Sequence, residues 1–170
     1  KQTINIKIDT GACLEFLPQE TIIFDGAIYR QDLRIELGSE AIWLGWEINR
    51  FGRSHRGEKF YSGEWRSHTE VWQAGKPLWL DRAWLLGDRE LFHSSNALAG
   101  KPIIGTLSLL GKPFSQETID RVRCLWREEN SQADVGVTEL ISGLLCRYRG
   151  DSTTEVKKWF TKVWHLLREI

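Results

Sequence analysis

The chain has 170 residues, 41% of them hydrophobic and 27% charged, a globular composition that excludes a disordered segment. Its 23 Lys and Arg balance 23 Asp and Glu, and its pI is about 7.1. No cationic surplus faces nucleic-acid phosphates, and no apolar run approaches the ~20 residues of a membrane-spanning helix. Neither nucleic acid nor membrane is therefore expected as a partner. Residues 1–10 alternate apolar and polar side chains without the apolar core of a secretory signal. The three cysteines, Cys13, Cys124 and Cys146, are widely spaced, which predicts reduced thiols and a cytoplasmic location. Methionine is absent, even from position 1, and this predicts a fragment of a longer chain.

In chain order, Ile4, Ile6 and Ile8 fall at period 2 and predict a strand over 3–8. Residues 27–37 repeat the pattern, with Leu33, Ile35 and Leu37 opposed by Asp32, Arg34 and Glu36. Residues 41–51 form a denser apolar run, as in a strand buried on both faces. Residues 60–74 and 76–86 meet at Gly75 and predict a hairpin, and 103–110 give one more strand. No helical period intrudes before residue 110.

After it the pattern changes. Ser115 precedes a predicted helix over 116–129 whose Ile119, Val122, Leu125 and Trp126 share a face. Residues 135–140 and 143–149 read as a strand pair around Gly143. Ser152-Thr153-Thr154-Glu155 is a capping box opening a helix over 153–169. Its stripe is Val156, Trp159, Phe160, Val163, Leu167 and Ile170, predicted to dock on the chain's own sheet. The expected organisation is one incomplete domain, mainly β: residues 1–111 rich in strands, with 112–170 adding helices and a strand pair packed on them. Nine tryptophans and missing flanking strands predict exposed apolar surface and open sheet edges in the isolated chain.

Motifs for chemistry are mostly absent. Gly105 to Lys112 imitates a phosphate loop, but five residues separate its glycines and Pro113 stands where the magnesium-binding hydroxyl is needed. No nucleophile elbow occurs, and Cys13, in an apolar strand, reads as a small buried hydrophobe. His55, His68, His93 and His165 occur singly, without the spacing of a structural zinc site. No catalytic residue and no tightly bound cofactor is expected.

Two polar stretches stand out. In GWEINRFGRSHRGEKFYSG (45–63), Glu47 ends an apolar strand core, where an unpaired carboxylate is costly, and Arg50, Arg53, Arg56 and Glu58 follow. The stretch reads either as a hairpin whose buried carboxylates pair with arginines or as a polar interior channel. In LPQETIIFDGA (17–27), Gln19, Glu20 and Asp25 interrupt an apolar ridge, which suggests a polar seam inside a β structure.

LEFLPQETIIFDGA (14–27) followed by LGWEINRFGRSHRGEKFYSGEWR (44–66) resembles the urease accessory protein D family, also called UreH. Pro77 to Arg82, Leu98-Ala99-Gly100 and Trp164 to Arg168 agree with it, and the resemblance covers essentially the whole chain. A glycine-rich N-terminal segment and a C-terminal Pro-Arg-Ile/Val-Trp motif usual in the family are missing. The resemblance implies a β-helix-like stack of sheets with about two α-helices in the C-terminal third. It further implies a non-enzymatic scaffold or chaperone between apo-urease and the accessory proteins F and G. Nickel would pass transiently through a polar tunnel lined with dispersed, weak ligands. Asp25, Glu47 and Glu58 are the expected acidic groups of that conduit, with Arg53 as charge partner of one of them. The alternatives are a β-helix carbohydrate-active enzyme using paired carboxylates and a purely structural subunit.

Overall fold

The computed structural model describes residues 1–53, 56–127 and 131–169. Ten strands and three helices follow in the order β1 (Gln2–Ile8), β2 (Cys13–Phe16), β3 (Thr21–Ile23), β4 (Ile28–Leu37), β5 (Ile42–Phe51), β6 (Glu64–Gln73), β7 (Lys76–Leu86), α1 (Arg89–His93), β8 (Ile103–Leu110), α2 (Gln116–Arg127), β9 (Asp134–Leu140), β10 (Gly143–Gly150) and α3 (Thr153–Arg168). The first sheet has the order β1-β4-β6-β7, and the second runs β2-β5-β8-β10-β9 with β3 also on β5.

The chain alternates between these sheets. β1, β4 and β6 pair in parallel, so each return to the first sheet passes through the second. β2 and β3 lie end to end along β5, both parallel to it, as one rung broken at Leu17–Glu20. This winding is the expected β-helix-like stack. β7 closes the first sheet as an antiparallel hairpin on β6, while β8, β10 and β9 complete the second with antiparallel pairs.

The corners of the winding are tight. The turn at Phe24–Ala27 stacks on residues 62–64 through hydrogen bonds from the Gly26 amide to Ser62 O and the Glu64 amide to Ala27 O. Gly63 sits there at φ +100°, and a Cβ on it would lie 2.3 Å from Ala27 O.

Helices cover the outer face of the second sheet. Val156, Trp159, Phe160, Val163 and Leu167 of α3 are all buried, packing with Leu44, Ile48, Ile103 and Leu107. A Cβ on Gly105 of β8 would approach Val156 Cγ2 to 2.8 Å, so glycine lets the helix lie close. Ile119 and Val122 of α2 join the same cluster. Ser152 caps α3 by accepting from the Glu155 amide at 3.2 Å. The Glu155 carboxylate accepts from the Tyr148 hydroxyl at 2.6 Å, which places a β10 side chain in the cap.

Several expectations need correction. A short helix, α1, interrupts the β region; its single turn, capped by Asp88, is too brief to show a helical period. The 45–63 stretch is no hairpin, because β5 and β6 belong to different sheets. The expected strand pair 135–140 and 143–149 is present as β9 and β10, turning at Ile141-Ser142 rather than at Gly143. Cys13 does lie in a strand but is exposed, whereas Cys146 is the buried thiol. Residues 128 and 129 of the expected helix 116–129, Ile170 of the α3 stripe and the lone His55 lie outside the described residues.

Replacing Ser152→Ala removes the cap from a helix that holds five buried side chains. Chemical denaturation should show a loss of about 1 kcal/mol; an unchanged midpoint would mean the cap contributes nothing.

Candidate functional site

Several inward-facing rows of the two sheets carry polar residues between apolar ones. On β5 the inner row reads Trp43, Gly45, Glu47, Asn49, Phe51, and on β6 it reads Trp65, Ser67, Thr69, Val71. β4 contributes Gln31 between Leu33 and Tyr29, and β8 contributes Thr106 and Ser108 between Ile104 and Leu110. Register aligns the polar middles. Gln2, Gln31 and Ser67 are consecutive partners across β1, β4 and β6. Glu47 faces Thr106, and Gly45 faces Ser108, across β5 and β8. The inter-sheet interior is thereby split into two apolar clusters, one around Ile35, Trp43 and Val71 and one around Phe51, Phe60 and Trp65.

Glu47 occupies the centre of this seam. Its carboxylate accepts from Asn49 Nδ2 at 2.7 Å and from Ser67 Oγ at 3.1 Å. Burial pushes its carboxyl group above the ordinary value, and those two hydrogen bonds only partly offset the effect. Part of its surface still reaches solvent through the pockets beside it. The arginines that follow it in sequence are not its partners. A cation whose charge does act on it is Arg147 of β10, which bridges to Asp81 of β7 at 3.0 Å and to Thr106 Oγ1 at 3.1 Å.

Asn49 is buried and its Oδ1 has no partner. An acceptor left bare beside a carboxylate suits a water or a cation better than a dry interior. Two pockets adjoin Glu47. One, of about 90 Å³, opens among Gln2, Phe16, Gln19, Thr21 and Gln31 at the β1 and β2–β3 side. The other, of about 20 Å³, lies among Trp43, Thr69, Trp79, Asp81, Thr106 and Ser108 toward β7 and β8. Glu47, Leu33 and Trp46 line both. The Tyr29 hydroxyl donates to Gln2 Oε1 at 2.8 Å and to Gln31 Oε1 at 3.1 Å, and burial and then Glu47 raise its phenol.

Asp25, Glu58 and Arg53 come together away from this seam, at the exposed corner of the winding. Asp25 accepts from the Tyr61 and Ser62 amides, both at 2.7 Å, and its own amide donates to Glu58 Oε1 at 3.0 Å. Arg53 donates to Glu58 Oε2 at 2.7 Å and stacks over Phe24 at 4.7 Å. The Arg53 guanidinium, and then the Asp25 amide, hold the Glu58 carboxyl below the ordinary range. Asp25 and Glu58 are therefore clasps of a turn, with their lone pairs engaged by local donors, rather than groups of the interior. Sequence reasoning found Glu47 and missed Gln31, Asn49, Ser67, Asp81 and Arg147. Their signal was a polar side chain at an inward position midway along each strand. Among the described residues, no three His, Cys, Asp or Glu side chains converge to hold a metal ion.

The fold and seam define a class: a wound two-sheet protein with a polar seam between its sheets. The chain belongs to the UreD family of urease accessory proteins, whose family model, described as UreD urease accessory protein, matches residues 1–170. It is similar to urease accessory protein UreD of Nostoc sp., at 65% identity over 99% of this chain and 59% of that relative. The Trichormus variabilis protein of the same name is 64% identical over the same shares. That of Synechocystis sp. is 43% identical over 96% of this chain and 61% of the relative. The chain thus spans about 59% of the length of the first two relatives.

Because the folded Glu47 carboxyl titrates above its ordinary value of 4.5, ionising it costs stability. Its favourable contribution is complete below pH 4.5 and is lost as pH rises through the raised folded value. Glu47→Gln should therefore be more stable than the parent at pH 7.5, and the advantage should vanish near pH 4. Denaturant midpoints at the two pH values test this, and an equal difference at both would refute it. At the corner, Asp25→Ala strips the acceptor from two amides and should cost about 1 kcal/mol by the same measurement.

Proposed function

We propose that the chain serves urease maturation as the scaffold that joins apo-urease to the accessory proteins F and G, and that its seam passes nickel. The observation carrying this reading is a largely buried carboxylate between the sheets, Glu47, with the bare Asn49 Oδ1 beside it and pockets on either side. Nickel(II) accepts carboxylate, amide and hydroxyl oxygens together with water, and a conduit needs such ligands few and dispersed so that the ion leaves again. A carboxyl group held toward its neutral form releases its proton when a dication arrives and recovers it when the ion moves on. The pocket shared by Glu47 and Asp81, at about 20 Å³, has room for water or an ion and none for a sugar ring. That weighs against carbohydrate chemistry by paired carboxylates.

The test uses the full-length protein, co-expressed with urease and the other accessory proteins. Glu47→Gln keeps the shape of the side chain, so abundance and complex yield should hold while the nickel content of matured urease falls several-fold. Asp25→Ala should lower nickel only in proportion to the complex lost. Normal nickel loading with Glu47→Gln removes the conduit, and failure of the parent protein to associate with apo-urease and its accessory proteins removes the scaffold.

A further inference from the structure

We infer, resting on the nickel reading above, that Arg147 is the resident counter-ion of the seam. Its guanidinium holds the place of the passing dication between Asp81 and Thr106, and yields it by swinging toward the open space beside Gly136. Register builds the arrangement. Across the second sheet Glu47, Thr106, Arg147 and Gly136 are successive partners, one transverse row that runs from β5 out to β9. Partners across an antiparallel ladder share a face, so the whole row lies on the inner face with Glu47. Across the first sheet Thr69 and Asp81 are partners on β6 and β7. The two sheets meet where Arg147 Nη1 donates to Asp81 Oδ2 at 3.0 Å and to Thr106 Oγ1 at 3.1 Å. Both acceptors line the pocket of about 20 Å³ that Glu47 also lines. One nitrogen thus satisfies two oxygens of the pocket, as an oxygen-seeking cation would.

Two features make this cation replaceable. The Arg147 and Asp81 side chains are 44% and 28% exposed, and an ion pair open to water parts at small cost. The next rung of the row, Gly136, has no side chain, and a Cβ built on it would meet no atom within 4 Å. The guanidinium therefore has room to move along its own row without disturbing the sheet. A competing cation also answers a difficulty of the conduit. With Glu47 and Asp81 lining one pocket and nothing to compete, a dication would be held too tightly to leave. With Arg147 present, arrival of the ion displaces one cation and its departure restores it. The charges act at this range: on the Glu47 carboxyl, beyond burial and its hydrogen bonds to Asn49 and Ser67, Asp81 pushes up and Arg147 pulls down. A guanidinium suits the task because it stays charged throughout the physiological pH range.

The experiment titrates nickel(II) alone into the full-length protein by calorimetry and follows its release to a chelator by stopped flow. Only the site that Glu47→Gln abolishes is counted, and circular dichroism confirms that each variant is folded. Arg147→Gln should bind nickel about 10-fold tighter and release it correspondingly more slowly. Arg147→Lys keeps a cation in place and should stay near the parent. Gly136→Val leaves every charge untouched but fills the space beside Arg147, and should weaken binding several-fold. A pair that merely ties the sheets together predicts the opposite sign for Arg147→Gln, since a loosened seam holds the ion less well. Unchanged or weaker binding in Arg147→Gln, or a Gly136→Val variant that matches the parent, overturns the inference and leaves the conduit standing. A parent with no Glu47-dependent nickel binding overturns both.

Discussion

The parallel register of β1, β4 and β6 is the constraint on which the interior depends. Ile6, Ile35 and Val71 form one inward row, and Gln2, Gln31 and Ser67 form another. A slip of one residue in β4 would turn Arg34 and Glu36 inward and Ile35 outward. A slip of two would push Leu33 into the polar row and open the seam's hydrogen bonds. The register is pinned at the corners, where Gly63 meets Ala27 too closely for any side chain and Asp25 ties the same turn to the Tyr61 and Ser62 amides. The exposed corner thus supports the buried seam without being part of it.

Placing Glu47 in that seam works against stability. Among the described residues its carboxylate has two hydrogen-bonding partners and no cation in direct contact, whereas the half-buried Glu58 has a guanidinium and a backbone amide. An apolar residue at position 47 would join the two inter-sheet clusters into one. The fold tolerates the break because other apolar contacts are secure. Trp43 and Phe51 flank Glu47 on the same row and are nearly inaccessible, and α3 lays five buried side chains on the opposite face of the sheet. Those flanking clusters shield most of the seam from bulk water. The same exclusion raises the Glu47 carboxyl and leaves the Asn49 acceptor bare.

Strands and the two longer helices were legible because their signals are local: period-2 alternation in β1 and β4, and a capping serine with an apolar stripe in α3. The β5 run read as doubly buried, and it is, between α3 and the inter-sheet interior. Polar residues were harder, because sequence neighbours are not seam neighbours. Asp25, Glu47 and Glu58 looked alike, each a carboxylate amid apolar or aromatic residues. Glu47 lies inside a strand with its parity facing inward, while Asp25 and Glu58 lie in connections, where local amides and Arg53 reach them first. Arg147, far from Glu47 in sequence, comes near it only because β10 follows β8 in the second sheet. Cys13 misled for the same reason, as an edge position leaves an apolar-looking residue open to solvent.

The two broad faces of the protein are unlike. The outer face of the second sheet lies under α2 and α3, and that of the first carries ladders of ion pairs such as Arg30–Asp32 and Arg34–Glu70. Neither face leads inward. The seam runs between the sheets, and the pockets beside Glu47 lie along their edges, one on the β1 and β2–β3 side and one toward β7. On the latter side the Arg147–Asp81 pair spans the gap between sheets, and part of both side chains is open to water. An ion pair of that kind holds the edge together and parts at modest cost.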